Sequence, residues 1–211
     1  ATYGPDDLAL TLDGTNQYAI ATYSADASYS STFNLTNAFS VEAWVKPDTC
    51  TARSAVLQKK GQYIFFCEGG TWRYKLFPSS GSADIDVDTE IDVLDGEWQH
   101  IAFTRAASTD TVNFYLNGQL AASKGASGAG TGGIATGTFS TFVGAARGAT
   151  EPGNFFNGAI DELRMFEDVR SPSEIQTDMR TYGPVSTTGL VAYYDFNEGI
   201  AGTTGSGTAI N

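Results

Sequence analysis

Apolar residues in this chain recur mainly at every second position, in short runs broken by Gly, Asn, Asp and Ser, which is the pattern of half-buried β-strands. Leu8, Leu10 and Leu12 alternate into an Asp13-Gly14 turn, and Tyr18–Thr22 resumes. Phe39, Val41, Ala43 and Val45 form one face of the next strand, leaving Glu42 and Trp44 on the other. Short strands follow over Ala55–Lys59, Gln62–Cys67 and Trp72–Phe77, divided by Lys60-Gly61 and Gly69-Gly70. Asp84–Val93 sets Ile85, Val87, Ile91 and Val93 against Asp84, Asp86, Asp88, Glu90 and Asp92, one buried face and one acidic face. Trp98–Arg105 turns Ile101 and Phe103 inward and Trp98, His100 and Ala102 outward. Val112, Phe114 and Leu116 lead into Asn117-Gly118, a hairpin signal. Thr138–Gly144 and Leu190–Phe196 complete the set, while the polar 23–37 and the Gly-rich 125–137 read as loops.

The stretch from Phe156 to Gln176 reads as strand, bend and helix. Ser171 is a natural N-cap, Pro172 suits the first turn and Glu174 completes a capping box. Strict alternation in the strand puts Asp161, Leu163 and Met165 on one face, with Ile160, Glu162, Arg164 and Phe166 on the other. A carboxylate at Asp161 then needs a cation, donors or a place at the sheet rim. About a dozen strands with one short helix near the C-terminus predict an all-β, two-sheet antiparallel sandwich. It is expected to span residues 1–199, with 200–211 as a linker or disordered tail.

A chain of 211 residues suffices for one such domain. The net charge of −12 argues against a nucleic-acid partner, which needs clustered Lys and Arg. No apolar run approaches the ~20 residues of a membrane span. The chain opens at Ala1 with no leader pattern, and Thr2-Tyr3-Gly4-Pro5 recurs as Thr181-Tyr182-Gly183-Pro184. Both features suggest a module cut from a longer protein, with neighbouring modules as partners. Asn34-Leu35-Thr36 is a glycosylation sequon. Gly128-Ala129-Gly130-Thr131-Gly132-Gly133 matches a dinucleotide fingerprint but lacks the flanking strand and helix.

Gly158-x-Ile160-Asp161-Glu162-Leu163-Arg164 followed by Ser171-Pro172-Ser173-Glu174-Ile175 resembles the C-terminal signature of the laminin-G-like, or concanavalin-A-like, jelly-roll domains. Leu12-Asp13-Gly14 with Tyr18, Phe39–Pro47, Gly96–Ala102, Phe114–Gly118 and Gly189–Gly199 agree in order. The resemblance implies a jelly roll and a non-catalytic extracellular or cell-surface role in carbohydrate binding or adhesion. It also implies a structural calcium where the first strand nears the Ile-Asp-Glu strand, with Asp13, Asn16 and Asp161 as ligands. For an extracellular fold, Cys50 and Cys67 are expected to form a disulfide, two buried thiols being the alternative.

A glycan site needs an aromatic platform and planar polar groups. Trp44, Trp98 and His100 share an outward register, and Trp72, Asn154 and Phe155 are candidates at an edge or loop. The competing reading is that the tryptophans simply pack. Two other functions stay open. One is a spacer or protein-interaction module without a sugar site. The other is a diverged jelly-roll glycosidase, since Glu90-x-Asp92-x-x-Asp95 approaches a retaining-enzyme motif but ends in a short carboxylate at a turn.

Overall fold

The computed structural model describes residues 8–22, 33–79, 84–109, 111–125, 133–137, 139–147, 151–183 and 186–197. The expected tail over 200–211, the Gly-rich motif at 128–133 apart from Gly133, and most of the recurring tetrapeptide lie outside them. One antiparallel sheet runs in the order β1 (Leu10–Asp13), β14 (Asn157–Phe166), β3 (Phe39–Pro47), β8 (Gln99–Ala106), β9 (Thr111–Leu116) and β10 (Gln119–Gly125). Its seventh strand, β15 (Leu190–Tyr194), also pairs β14. The facing sheet has six strands, β2 (Ala19–Thr22), β11 (Thr141–Val143), β4 (Ser54–Lys59), β5 (Tyr63–Glu68), β6 (Thr71–Leu76) and β7 (Ile85–Asp92). β12 (Ala146–Arg147) and β13 (Pro152–Gly153) make a small third ladder. The helix α1 (Pro172–Asp178) carries the expected capping box between Ser171 and Glu174.

Between the sheets lies one continuous apolar core. Phe103 stacks on Phe65 at 4.7 Å and packs at a tilt against Phe114 at 4.8 Å. Trp72 lies fully inside this layer, with its indole N–H donating to Gln99 Oε1 at 3.4 Å, so it is not an edge or loop platform. Trp72 and Tyr74 alternate along β6 and share the face that looks inward.

β14 departs from strict alternation. A bulge between Asp161 and Arg164 interrupts its register with β3, and Glu162 sits at φ +51°. The extra residue puts Ile160, Leu163 and Met165 all in the core. Asp161 consequently stands opposite Trp44 instead of sharing a face with Leu163 and Met165. Gly158 opens the same strand at φ +141°, and a Cβ there would meet the Lys46 carbonyl oxygen at 2.1 Å. Only glycine fits this crossing of β14 over β3.

The part of the larger sheet's outer face that carries Trp44 and His100 is covered by α1 and the segment after it. Ala102, Tyr115 and Ile175 form an apolar contact across this layer. Trp44 Nε1 donates to the Met179 carbonyl at 3.2 Å, and its ring meets His100 edge-on at 5.5 Å. Trp44 and His100 therefore pack and present no ring to solvent. Glu42 lies in the same layer, with Oε2 3.8 Å from His100 Nε2. Arg164 meets Glu162 and the Thr181 and Gly183 carbonyls, and Arg170 holds Asp178 at 2.8 Å.

Burial, with the Asp178 carboxylate next, pushes the Glu42 carboxyl well above the usual carboxylate range, against the pull of Arg164 and Arg170. Burial and then Arg164 lower the His100 imidazole from 6.5 to about 3. The two groups have opposite linkage. Glu42 takes up a proton on folding, so its contribution is complete in acid and is lost as pH rises through its folded value. His100 is held neutral, so its contribution is present above the ordinary imidazole range and is lost as pH falls toward about 3.

Cys50 and Cys67 form the expected disulfide, with Cα atoms 6.0 Å apart, joining the β3–β4 connection to β5. Replacing both by Ser is expected to lower the unfolding free energy by about 3 kcal/mol, read from denaturant melts, and an unchanged midpoint would refute a stabilising role. Glu42→Gln should raise stability over wild type at about pH 8 and lose that gain by about pH 4. A difference that stays constant across the range would show that Glu42 binds no extra proton on folding.

Candidate functional site

The chain's candidate site is a cleft of about 390 Å³ at one rim of the sandwich. Three chain segments build it. Asp13 and Gly14 come from the turn that ends β1, and Thr49 through Ser54 apart from Cys50 from the β3–β4 connection. Asn154, Phe155 and Asn157 come from the entry to β14.

Each wall is fixed by backbone bonding. Asn157 pairs with Asp13 in the β1–β14 ladder, and its carbonyl accepts from Asp48 N at 2.9 Å. Asn154 takes a left-handed φ of +49°, and its carbonyl accepts from Ala55 N at 2.9 Å. The neighbouring Phe156 is buried, and its N–H donates to the Gly144 carbonyl. Across the cleft, the Cys50 and Thr51 carbonyls accept from Gly70 N at 2.7 Å and Gly69 N at 3.3 Å. The disulfide reinforces that wall from within. Arg53 is steered by Glu68 at 3.0 Å and by the Phe66 ring at 4.5 Å from its centroid.

An aromatic surface adjoins the polar cleft. Tyr18, 38% exposed, stacks on the half-buried Phe155 at 6.2 Å and an interplanar angle of 29°. Behind it, buried Phe142 supports Tyr18 at 5.6 Å. Exposed ring area beside amide, hydroxyl and carboxylate groups is the chemistry that reads a sugar's C–H face and its hydroxyls.

Of the ligand-binding residues expected from the sequence, Asn154 and Phe155 line this cleft. Trp44, Trp72 and His100 are buried elsewhere, and Trp98 is half-buried just before β8, outside the lining. Tyr18, Arg53 and Asn157 are not among the ligand-binding residues expected from the sequence. Tyr18 precedes β2 and could have been found only as an aromatic at a strand entrance.

The expected metal ligands do not converge. Asp13 lies opposite Asn157, whereas Asp161 is four residues further along β14, a separation of roughly 13 Å along a strand. One cation with oxygen ligands at about 2.3–2.6 Å cannot hold both carboxylates. Asp13 Oδ1 accepts from Thr15 N at 2.9 Å and Asn16 N at 3.4 Å, so the Asn16 backbone, not its side chain, meets Asp13. Asp161 Oδ1 accepts from Glu162 N at 2.8 Å inside the bulge. Among the described residues no group of three His, Cys, Asp or Glu is placed to hold a metal ion.

The fold recurs among solved structures. A putative carbohydrate binding protein from Bacteroides ovatus aligns with a TM-score of 0.63 at 18% identity, over 89% of this chain and 52% of that one. This chain thus spans about half the length of that protein. Domain 4 of AbnA, a GH43 extracellular arabinanase from Geobacillus stearothermophilus solved with arabinotriose, aligns at 0.58 and 24% identity, over 85% and 80% of the two chains. The CBM40 of a Ruminococcus gnavus IT-sialidase, bound to α2,3 sialyllactose, aligns at 0.61 and 13% identity, over 81% and 96%. A comparison with curated protein sequences finds no match. The laminin-G-like family profile matches residues 8–176, and the chain belongs to the concanavalin A-like lectin/glucanases superfamily.

Proposed function

We propose that this domain is a non-catalytic, extracellular carbohydrate-binding module that takes its glycan at the rim cleft. The observation that carries the reading is the exposed Tyr18–Phe155 stack beside the polar walls of Asp13, Asn154 and Asn157. Structural neighbours described as a carbohydrate binding protein, a CBM40 and an arabinanase domain solved with arabinotriose support the class of ligand. The disulfide fits an oxidising compartment. Among the described residues no helix is long and apolar enough to cross a membrane.

A glycosidase reading gains no support from the acidic strand. Glu90 sits at φ +62°, its side chain is 76% exposed, and it pairs with Lys124 at 2.9 Å. That is a solvated ion pair at a strand irregularity, not a carboxyl held against a partner acid.

The calcium reading narrows to the rim. There Asp13 supplies one carboxylate, whose Oδ2 makes no hydrogen bond among the described residues, near the amides of Asn154 and Asn157. This donor set is of the oxygen type calcium takes, but a single carboxylate makes it a weak site.

A glycan array that includes arabinan and other plant and host oligosaccharides, run with millimolar calcium and again with chelator, tests the reading. Phe155→Ala with Tyr18→Ala should weaken the best binder by roughly tenfold or more while the fold stays intact by circular dichroism. Asp13→Asn should remove any calcium-dependent part of the signal. Undiminished binding in the double variant would place the site elsewhere, and silence across the array would favour a spacer module.

A further inference from the structure

The outer face of the six-stranded sheet carries an arrangement that the rim cleft does not use. Phe139 is 40% exposed, with Lys60 Nζ 5.1 Å and the Arg147 guanidinium 5.5 Å from its ring centroid. Lys60 follows the end of β4, whereas Arg53 of the rim cleft precedes its start. The two places are therefore roughly 20 Å apart along the strand.

Arg147 is unlike the other arginines of this chain that stack on rings. Arg53, Arg73, Arg164 and Arg170 each face a carboxylate. Arg147 makes no ion pair and no side-chain hydrogen bond among the described residues, and its Nε is buried. Its position is nonetheless fixed, because β12 pairs with β13 and the Arg147 backbone N–H donates to Gln58 Oε1. A guanidinium that is partly desolvated, held in place and without an acceptor among the described residues is poised for an incoming anion. The exposed Phe139 ring beside it adds a surface for an apolar C–H face.

We propose that Phe139, Arg147 and Lys60 form a second glycan subsite that takes a carboxylate-bearing sugar, a uronic acid residue. The carboxylate meets the guanidinium fork of Arg147 with Lys60 as a second positive charge, and the sugar ring lies on Phe139. The net charge of −12 works against a long polyanion at this place, because the far field repels what the local pair attracts. A single acidic residue within an otherwise neutral glycan suits both scales. This subsite stands apart from the rim reading and does not require it.

The test is titration of the full chain with otherwise neutral trisaccharides that carry one galacturonic-acid or one glucuronic-acid residue, and with their methyl esters, followed by amide chemical shifts. The acids are expected to shift Lys60 and residues 139–147 and to bind roughly tenfold or more tighter than the esters, which keep the shape and lose the charge. Arg147→Gln should bring the acids down to the affinity of the esters at an unchanged melting temperature. Equal binding of acid and ester, shifts confined to Asn154 and Phe155, or no shift with either acid would each overturn the subsite. Shifts confined to Asn154 and Phe155 would at the same time favour the rim site, so the two readings fail separately.

Discussion

Taking a guanidinium out of water costs several kcal/mol unless its donors and charge are met by fixed partners. Arg164 pays that cost in full, since its side chain is 0% exposed between the larger sheet and the C-terminal segment. The Glu162 carboxylate meets it from the same strand, the Thr181 and Gly183 carbonyls from the chain after α1, and the Tyr193 ring from β15 at 5.1 Å. Tyr193 in turn donates to Glu162 Oε1 at 2.6 Å and accepts from Gly183 N. A residue two positions from Arg164 on a regular strand shares its face, but a bulge with Glu162 at positive φ brings the two side chains close enough to pair. This pair joins β14, the segment after α1 and β15 in one buried polar cluster.

The cover that α1 provides narrows where recognition is possible. With Trp44, His100 and Glu42 sealed under α1, the centre of the larger sheet's outer face has no aromatic ring to offer a ligand. Two places open to a ligand among the described residues are the rim, where loops meet, and the outer face of the smaller sheet, where cations lie over Phe66, Phe77 and Phe139. The rim is held by strand pairing on one side and by the disulfide on the other, so its polar groups sit on fixed backbone. A site organised before its ligand arrives loses less entropy on binding.

Much of the fold was legible because period-two patterning and cap residues act locally. The strands, the Asn117-Gly118 hairpin and the Ser171–Glu174 box all follow from neighbours in sequence. The inward and outward assignment of Ile101, Phe103, His100 and Ala102 was also readable, but what covers the outward set was not. α1 is amphipathic over only seven residues, too few to announce which sheet face it will cover. The bulge in β14 was equally hidden, since Asp161-Glu162-Leu163-Arg164 alternates acceptably without it. It places Glu162 beside the buried Arg164 cation, whose other partners lie on the chain after α1. The rim cleft joins residues more than 140 positions apart, Asp13 and Asn157, through a pairing that a lone sequence does not fix. The Asn34 side-chain oxygen accepts from Gln62 and so ties the segment before β3 to the β4–β5 turn, a contact that its sequence neighbours do not announce.

The burial of Trp44 and Trp72 in two separate layers gives the molecule intrinsic optical reporters. Trp72 sits between the sheets against Gln99, whereas Trp44 sits outside them, bonded to the carbonyl that closes α1 and edge-on to His100. Undocking of the helix would expose the Trp44 indole to water and red-shift its emission while Trp72 stayed dry. Separation of the sheets would expose both. Each indole can be isolated by changing the other tryptophans to Phe, so peeling of the outer layer is distinguishable by fluorescence from collapse of the sandwich itself.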